Sequence, residues 1–401
     1  MASLPPASSL IESIRSSCAS CTSRSSIRIN PDAVDRFILS VKEADWQATT
    51  GAEAHGVRLP LRFDSAEDEL NLLSTLALLN FLSGYRVALH RLTGGRGAYS
   101  FILSLVLSAY LSSSSIGSDE PASILTTAGL VAATPASLAG LARIKTHTEK
   151  PHPTLGPAVT VGEKDEEAWE VLELLTGVLN ETGKVLRQKG KESLGEWVVG
   201  ELKRTGGDTG EMVHSLASTF PAFDDSHQLE DETDGQPVYI FKKALWLLTV
   251  VALRFEEAEE EGEKPTFPLP QVKEAELPVF ADNVLPSLLI HHSILDLSSC
   301  TDPSLASLSL SPTSSSTTSP PLLSHSSATR LRAAAITACT AIVSRAHELA
   351  SSASSTGEDG EGRAWLKEWT EQRLDAYLWG LGKKEEGKAV VRIAERGTVF
   401  Y

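Results

Sequence analysis

The segment DEEAWEVLELLTGVLNETGKVLRQK, residues 165–189, shows the pattern that decides the fold class. Its apolar residues recur every three or four positions, and acidic residues fill its start, where the helix dipole favours negative charge. The same period appears in segments 33–41, 64–82, 99–111, 134–144, 194–203, 241–261, 285–297, 329–352 and 362–379. Candidate strands are few, namely 57–63, 237–241 and 398–401. The sequence therefore predicts a mainly α protein.

The composition of the 401-residue chain argues against several classes of protein. Its formal net charge is −16, and a protein that coats DNA or RNA needs clustered Lys and Arg instead. Four cysteines are too few for a disulfide scaffold and fit a reducing compartment. No apolar stretch has the length of a membrane-spanning helix. We therefore expect a cytoplasmic protein without a membrane or nucleic-acid partner, while the Ser-rich start leaves a mitochondrial location open, and a nuclear one is open too.

Three inserts are expected to interrupt the helical body. Residues 256–266 are acidic and then Pro-rich, residues 298–327 are rich in Ser, Thr and Pro, and residues 352–361 contain mainly small and acidic residues. Such segments bury too little apolar surface to order themselves. All three are therefore predicted to be mobile.

The start of the main domain is predicted from a helix signal. Asn30 is a suitable N-cap, and Pro31 suits the first helical position. Residues 1–29 are therefore predicted to form a helical lead-in, and residues 30–401 a single large helical domain.

Familiar motifs for metal and phosphate binding are incomplete. Cys18 and Cys21 have zinc-like spacing, but no second Cys or His pair follows at the distance of a zinc finger. The glycine-rich segment 94–97 lacks the Lys-Ser/Thr of a phosphate loop and has no strand before it. We expect no metal, and we interpret segment 94–97 as a turn.

Three segments place charged or amide groups directly among large apolar residues. They are LNETGK at 179–184, STFPAFDD at 218–225 followed by YIFKK at 239–243, and VFADNVLP at 279–286. An acid in such a setting is either a helix cap or a carboxylate held in a dry pocket, and capping by Asp is common. Both interpretations stay open for these acids.

Taken together, these segments resemble the queuosine salvage protein family, the queuosine 5′-phosphate N-glycosylase/hydrolases. LNETGK at 179–184 matches the family's LNETGK, FPAFDD at 220–225 its FPxFxD, YIFKKA at 239–244 its FYKRA, FADNVLP at 280–286 its FADYRxP, and DAYLW at 375–379 its DYYLWD. The resemblance implies a mainly helical fold similar to helix-hairpin-helix DNA glycosylases. It also implies hydrolysis of the N-glycosidic bond of queuosine 5′-monophosphate, release of queuine for reinsertion into tRNA, and no cofactor.

The catalytic group that the resemblance implies is Asp282. Breaking a nucleoside C–N bond builds positive charge on the ribose, and a carboxylate beside C1′ in a water-poor pocket stabilises that charge. Asp282 is expected to act either as this electrostatic stabiliser or as a nucleophile.

The substrate-binding residues follow from the same matches. Phe223 is expected to stack on the base, and Asp225 to accept hydrogen bonds from its N–H groups. Asn283 stands in the pocket where the family has a Tyr, which removes one aromatic wall. Lys242 and Lys243 are candidates for the 5′-phosphate, the alternative being a solvated helix start. His55 is a further candidate for a ribose or phosphate contact.

Departures from the family pattern motivate two alternative functions. Besides the lost Tyr, Val284 replaces an Arg, and ATRLR at 328–332 stands where the family has the acidic EVEIR. A catalytically weakened nucleoside- or queuine-binding protein of the same family is therefore one alternative. An all-α interaction scaffold is the other.

Overall fold

The structure is a computed structural model that describes residues 3–50, 61–113, 123–229, 235–260, 269–273, 277–308, 310, 320–353 and 361–401. His55, most of the candidate strand 57–63 and parts of the three predicted inserts lie outside the described residues.

Helices dominate the described residues, so the prediction of a mainly α protein is confirmed. They are α1 (Leu10–Arg24), α2 (Pro31–Ser40), α3 (Glu43–Thr50), α4 (Ala66–Leu79), α5 (Arg86–Thr93), α6 (Ala98–Ser113), α7 (Thr127–Ala132), α8 (Pro135–Ala142), α9 (Glu166–Gln188), α10 (Leu194–Thr205), α11 (Thr209–Thr219), α12 (Lys242–Glu260), α13 (Val284–His291), α14 (Pro303–Ala306), α15 (His325–Ala353), α16 (Glu371–Lys383) and α17 (Glu385–Ala389). Short 3₁₀ helices cover Ala7–Ser9, Ser83–Tyr85, Pro221–Phe223 and Glu361–Glu368.

The described strands form three antiparallel pairs. They are β1 (Arg28–Ile29) with β6 (Leu295–Asp296), β2 (His147–His152) with β3 (Gly156–Lys164), and β4 (Ser226–His227) with β5 (Val238–Tyr239). The β2–β3 hairpin was missed because almost all of its described side chains are exposed, so no alternation of buried and exposed residues marks it. The strand predicted at 398–401 is wrong, since these residues are irregular and pair with no strand.

Local capping sets where several helices begin and end. The Asn30 side chain accepts hydrogen bonds from the first turn of α2, and Pro31 occupies its first position, as predicted. The predicted helix 362–379 is instead a 3₁₀ helix followed by α16, because Thr370 caps a new helix start. The predicted helix 285–297 ends at His291, and Ser293, with φ of +59°, turns the chain into β6.

The described chain divides into two compact units. Unit 1 comprises Met1–Phe63, Glu201–Ser218 and Phe223–Glu395, and unit 2 comprises Asp64–Gly200, Thr219–Ala222 and Arg396–Tyr401. The expected lead-in 1–29 and single domain 30–401 stay predictions. Within the predicted insert 298–327, α14 and the start of α15 have defined secondary structure.

Helix α15 is the central element of unit 1. It packs against α1, α2, α13 and α16. Its alanines at 333–335 and 338 are completely buried, and such small side chains let neighbouring helices approach closely. Beside it, Trp46 of α3 stacks on Trp369, with 4.0 Å between ring centroids and 4° between planes. The core of this unit is therefore built around one long helix.

Helix α9 packs against α4, α5, α7 and α8 in unit 2, and it carries LNETGK. A Cβ on Gly183 would lie 2.7 Å from Cβ of Leu130 and 2.8 Å from the backbone N of Val131, so only glycine fits. Nδ2 of Asn180 donates to three carbonyl oxygens at the end of α7. They belong to Leu130, Val131 and Ala133, at 2.9, 3.2 and 3.1 Å. The motif therefore joins two helices and satisfies carbonyls that lack partners within α7.

No individual helix among the described residues combines the length and the apolar composition needed to cross a membrane. The bent pair Ala66–Leu79 and Ser83–Thr93 meets the length and composition criteria for a membrane span only when both helices are counted together. Most residues of Ala66–Leu79 are buried, and the core helix of a folded protein passes the same test.

Candidate active site

Asp225 lies at the centre of a polar cluster in unit 1 and is 2% exposed. Its Oδ1 accepts from Nη1 of Arg332 at 3.0 Å and lies 2.5 Å from Nε2 of His227. Its Oδ2 accepts from Nη2 of Arg332 at 2.6 Å and from the backbone N–H of Lys242 at 3.1 Å. Burial alone raises the pKa of Asp225, but the charge of Arg332 and the hydrogen bonds outweigh burial and lower it. The side chain is thus both a buried carboxylate and a cap for α12.

Arg332 joins this cluster to the segment that contains Asp282. It projects from α15 and is 1% exposed. Two of its nitrogens bind Asp225, and its Nε donates to the carbonyl oxygen of Ala281 at 3.0 Å. One guanidinium therefore fixes the backbone directly before Asp282.

Two histidines extend the cluster toward the C-terminal segment. Nδ1 of His227 lies 2.9 Å from Nε2 of His325, and Nδ1 of His325 lies 2.8 Å from Oε1 of Glu395. The His227 side chain is buried, whereas that of His325 is 47% exposed. The hydrogen bond with Glu395 raises the pKa of His325.

Lys242 and Lys243 begin α12 and are 4% and 1% exposed, which excludes a solvated helix start. Burial lowers the pKa of Lys242 to about 8, although the charge of Asp282 opposes this shift. Burial and the charge of Lys242 lower the pKa of Lys243 well below its ordinary value. Nζ of Lys243 lies 5.7 Å from the ring centroid of the fully buried Phe223. The two lysines are therefore held inside the protein, Lys243 next to Phe223 and Lys242 in the electric field of Asp282.

Asp282 is half-buried and lies two residues before the start of α13. Its Oδ1 accepts from the backbone N–H of Val284 at 2.6 Å, and no described residue donates to its Oδ2. The next residue, Asn283, is 3% exposed, and its Nδ2 donates to the carbonyl oxygen of Ile393 at 2.9 Å. Asp282 therefore has one oxygen held by the backbone and one without a described partner, while Asn283 ties this turn to the C-terminal segment.

Helix α16 holds the chain that leads to Asp282. Asp375 accepts from the backbone N–H of Phe280 at 3.1 Å, Glu371 accepts from that of Val279 at 3.3 Å, and Nε2 of Gln372 donates to Pro278 O at 2.8 Å. Burial and the negative charge of Asp282 raise the pKa of Asp375 well above its ordinary value. Residues 278–280 are therefore anchored by three side chains of one helix.

Metal ligands are not grouped in the part of the chain that the structure describes, where no set of three His, Cys, Asp or Glu side chains could hold an ion. Cys18 and Cys21 are buried on α1, and the Cys18 thiol donates to the carbonyl oxygen of Tyr239 at 3.4 Å. Burial, then the nearby Cys21, raises the pKa of Cys18, so this thiol is a structural donor.

Six of the predicted site residues lie in unit 1, and the seventh, His55, lies outside the described residues. Both Asp225 oxygens already accept two contacts each from this protein, which fills the acceptor capacity of the carboxylate. A direct contact of Asp225 with a base would require one of these contacts to be given up. The base contact of Asp225 and the pocket-wall position of the buried Asn283 stay predictions. Sequence reasoning missed five residues: His227, His325, Arg332, Asp375 and Glu395. For Arg332 the signal was present, since it stands at the Arg of the EVEIR counterpart.

Comparison with known proteins identifies a family. The family model described as queuosine salvage protein matches residues 158–401, more than half of the chain. A comparison with individually curated proteins finds no match. The matched residues include both the LNETGK helix of unit 2 and the polar cluster of unit 1. The chain therefore belongs to the queuosine salvage protein family.

Proposed function

We propose that this protein hydrolyses the N-glycosidic bond of queuosine 5′-phosphate and releases queuine. Members of its family are associated with queuosine nucleotide processing, and a queuosine-related small molecule is the ligand that the family implies. The observation that carries the proposal is the state of Asp282: one oxygen is pinned by the Val284 N–H, and the other has no described donor.

The chemistry of C–N cleavage matches such a carboxylate. As the base departs, C1′ and the ring oxygen of the ribose share a positive charge. A carboxylate oxygen that is already oriented stabilises this charge without reorganising, and it does so more strongly away from bulk water. The pinned Oδ1 sets the direction in which Oδ2 of Asp282 points, and Oδ2 is the atom that we assign to C1′.

The neighbours of Asp282 favour the same assignment. Asp375 and Lys242 are both within electrostatic range of it. The raised pKa of Asp375 disfavours a second negative charge beside the negative charge of the Asp282 carboxylate. Lys242 balances that charge when no substrate is bound.

Substrate contacts are assigned to Lys242, which interacts with this carboxylate, and to the neighbouring Lys243 and Phe223. Phe223 is the candidate for stacking on the deazaguanine face. Lys242 and Lys243 are the candidates for the 5′-phosphate, because an entering phosphate supplies the negative charge that favours their protonated forms. Asp225 is assigned a positioning role, through Arg332 and the start of α12, in place of the base contact expected from the sequence.

We also propose that the helical fold is related to that of helix-hairpin-helix DNA glycosylases. The mainly helical architecture is compatible with this relationship. A crystal structure superposed on such glycosylases tests it, and failure of their helices to align in the same chain order contradicts it.

The proposed function is tested by turnover of queuosine 5′-monophosphate, with queuine detected by mass spectrometry. Asp282→Asn keeps an oxygen for the Val284 N–H but removes the negative charge, so we expect the rate to fall by about 10²- to 10³-fold with little change in melting temperature. The matched control is Asp296→Asn. Asp296 makes the same type of bond, to the N–H of Ser298 at 2.9 Å, and its variant should keep parental activity.

The same assay separates the alternatives. Turnover by Asp282→Asn at the parental rate contradicts the assignment of Asp282. Binding of queuine or its nucleotide by the parent in calorimetry, without turnover, supports the weakened binding protein. If the parent neither binds these ligands nor turns over the nucleotide, the result supports the interaction scaffold.

A further inference from the structure

The histidine network, which we define as Asp225, His227, His325 and Glu395, contains three hydrogen bonds in series. The distances are 2.5 Å from Asp225 to His227, 2.9 Å between the two rings, and 2.8 Å from His325 to Glu395. Each bond needs one hydrogen. An ionised carboxylate supplies none, and a neutral imidazole supplies one. Two neutral rings therefore leave one of the three bonds without a hydrogen, and the complete network requires one additional proton.

The surroundings decide where this proton resides. His227 is fully enclosed and donates its Nε2–H to Asp225, so its Nδ1 accepts from Nε2 of His325. The remaining hydrogen then lies between Nδ1 of His325 and Glu395, which makes His325 an imidazolium with a half-exposed ring. Among the described residues, the charged groups that act on the two rings include Glu395, Asp225, Asp224 and Arg332. The start of α15 opposes a cation at His325, but the hydrogen bond with Glu395 outweighs it and raises the pKa.

Both ends of the network lead to the residues beside Asp282. At one end, Asp225 binds Arg332, whose Nε donates to the carbonyl oxygen of Ala281. At the other end, Glu395 lies two residues after Ile393, whose carbonyl oxygen accepts from Nδ2 of Asn283. The residues directly before and after Asp282 are thus held from opposite ends of one hydrogen-bonded series.

The C-terminal end of this series is itself well anchored. The backbone N–H of Ile393 donates to Oγ of Ser287, and Ala394 exchanges backbone hydrogen bonds with Pro321 and Leu323, just before α15. A shift of His325 away from Glu395 therefore acts on a segment that is tied both to α13 and to the start of α15.

We propose that His325 is a positioning residue whose protonated form completes the histidine network and thereby holds Asp282 in its catalytic orientation. This inference rests on the proposed function for its effect on turnover. When the additional proton leaves, two acceptor atoms face each other across one of the three contacts, so one hydrogen bond is lost and the segment around Asp282 is held less firmly.

The direction of the pH effect follows from the same geometry. Because the pKa of His325 is raised above its ordinary value of 6.5, the protonated form is complete below that value and is lost as the pH rises through the raised pKa. kcat should therefore fall on the alkaline side. KM should change less, since the network acts on the backbone around Asp282 through Arg332 and Ile393, and it touches Lys242 at the backbone N–H and not at the Nζ assigned to the phosphate.

The kinetic test compares three variants over pH 5 to pH 9. His325→Gln keeps an amide N–H for His227 but carries no additional proton, so kcat should be about threefold to tenfold lower at low pH and its alkaline fall should disappear. Glu395→Gln should move that fall to lower pH, because it removes the group that raises the pKa of His325. His147→Gln, in the exposed β2–β3 hairpin, is the control and should retain the parental profile.

A second measurement does not depend on turnover. In NMR spectra of histidine-labelled protein, three hydrogen-bonded imidazole protons of the network should be present at low pH and two at high pH. The side-chain amide of Asn283, assigned by its loss in Asn283→Asp, should shift with the same midpoint. The inference is overturned if the alkaline fall of kcat persists in His325→Gln. It is also overturned if the chemical shift of the Asn283 side-chain amide does not change with pH across the titration. If the parent has no turnover, the proposed function fails, and the Asn283 amide alone decides this inference.

Discussion

The LNETGK helix of unit 2 and the Asp225–Asp282 cluster of unit 1 both carry family motifs, but they use polar residues in opposite ways. In LNETGK, Asn180 binds only backbone carbonyls, and Gly183 is there because the α7 backbone leaves no room for a side chain. In unit 1, Asp225 and Arg332 are ionised groups that hold each other inside the protein. A family motif can therefore mark helix packing or a reactive site, and only the contacts distinguish the two.

This difference predicts how each region responds to substitution. Changes in the packing motif should lower the free energy of unfolding and leave the chemistry of the site intact. Changes in the charged cluster should affect both stability and turnover, because the same bonds fold the protein and orient Asp282.

The largest expected effect comes from Arg332→Met, compared with Arg345→Met on the same helix. Both arginines bind an aspartate with two nitrogens, but Arg332 is buried with Asp225, whereas Arg345 and its partner Asp35 are about 40% exposed. Arg332→Met leaves a buried carboxylate unpaired and should lower the free energy of unfolding by about 3–5 kcal/mol. Arg345→Met should cost less than about 1 kcal/mol. Urea unfolding measures both.

The pH dependence of this pair sharpens the comparison. In the parent the pKa of Asp225 is lowered, so its stabilising contribution is present above its ordinary value of 3.8 and is lost only in stronger acid. In Arg332→Met burial dominates and the pKa of Asp225 rises, so the variant should approach the parent as the pH falls. If Arg332→Met lowers the free energy of unfolding by the same amount at pH 5 and pH 8, this explanation is contradicted.

A smaller effect is expected from Gly183→Ala in α9, with Gly177→Ala on the same helix as its control. The new Cβ at 183 meets the α7 backbone, which should lower the free energy of unfolding by about 1–3 kcal/mol. At 177 the added Cβ meets nothing within 4 Å, and Ala should stabilise the helix by about 0.5–1 kcal/mol. If LNETGK is a packing motif, the melting temperature should fall in Gly183→Ala and rise in Gly177→Ala. A change of the same sign in both variants contradicts this interpretation.

The smallest effect is expected from Asn180→Ala, which removes the donor for three carbonyls of α7. We expect a loss of about 1–2 kcal/mol because the substitution removes a buried donor from the carbonyls at this helix end. The adjacent Glu181→Ala, at an exposed position, should change stability by less than about 0.5 kcal/mol. Turnover per folded molecule should match the parent in both variants, and a large loss of kcat in Asn180→Ala argues for a direct role in the site.

Much of the fold could be predicted because helix periodicity and capping are local signals. The helix at Pro31–Ser40 follows from Asn30 and Pro31, and α9 follows from its apolar period and acidic start. The β2–β3 hairpin could not be predicted, since a ribbon exposed on both faces has no hydrophobic alternation.

The candidate site was only partly predictable, for a different reason. Motif resemblance singled out Asp225, Lys242 and Asp282, but several partners that explain them are remote in sequence. Arg332 is 107 residues from Asp225, and His325 is 98 residues from His227. The sequence around Asp225 does not reveal that its oxygens are already occupied. A base contact and a structural ion pair therefore cannot be distinguished until the fold is known.

The stacked indoles of Trp46 and Trp369 give unit 1 an optical signal of its own. Indoles stacked at 4.0 Å couple their electronic transitions, so the ultraviolet absorption and circular dichroism of this pair should depend on the stacking. Any change that separates α3 from the segment before α16 alters that signal. The protein thus contains, without an added dye, a spectroscopic probe of the packing around α15.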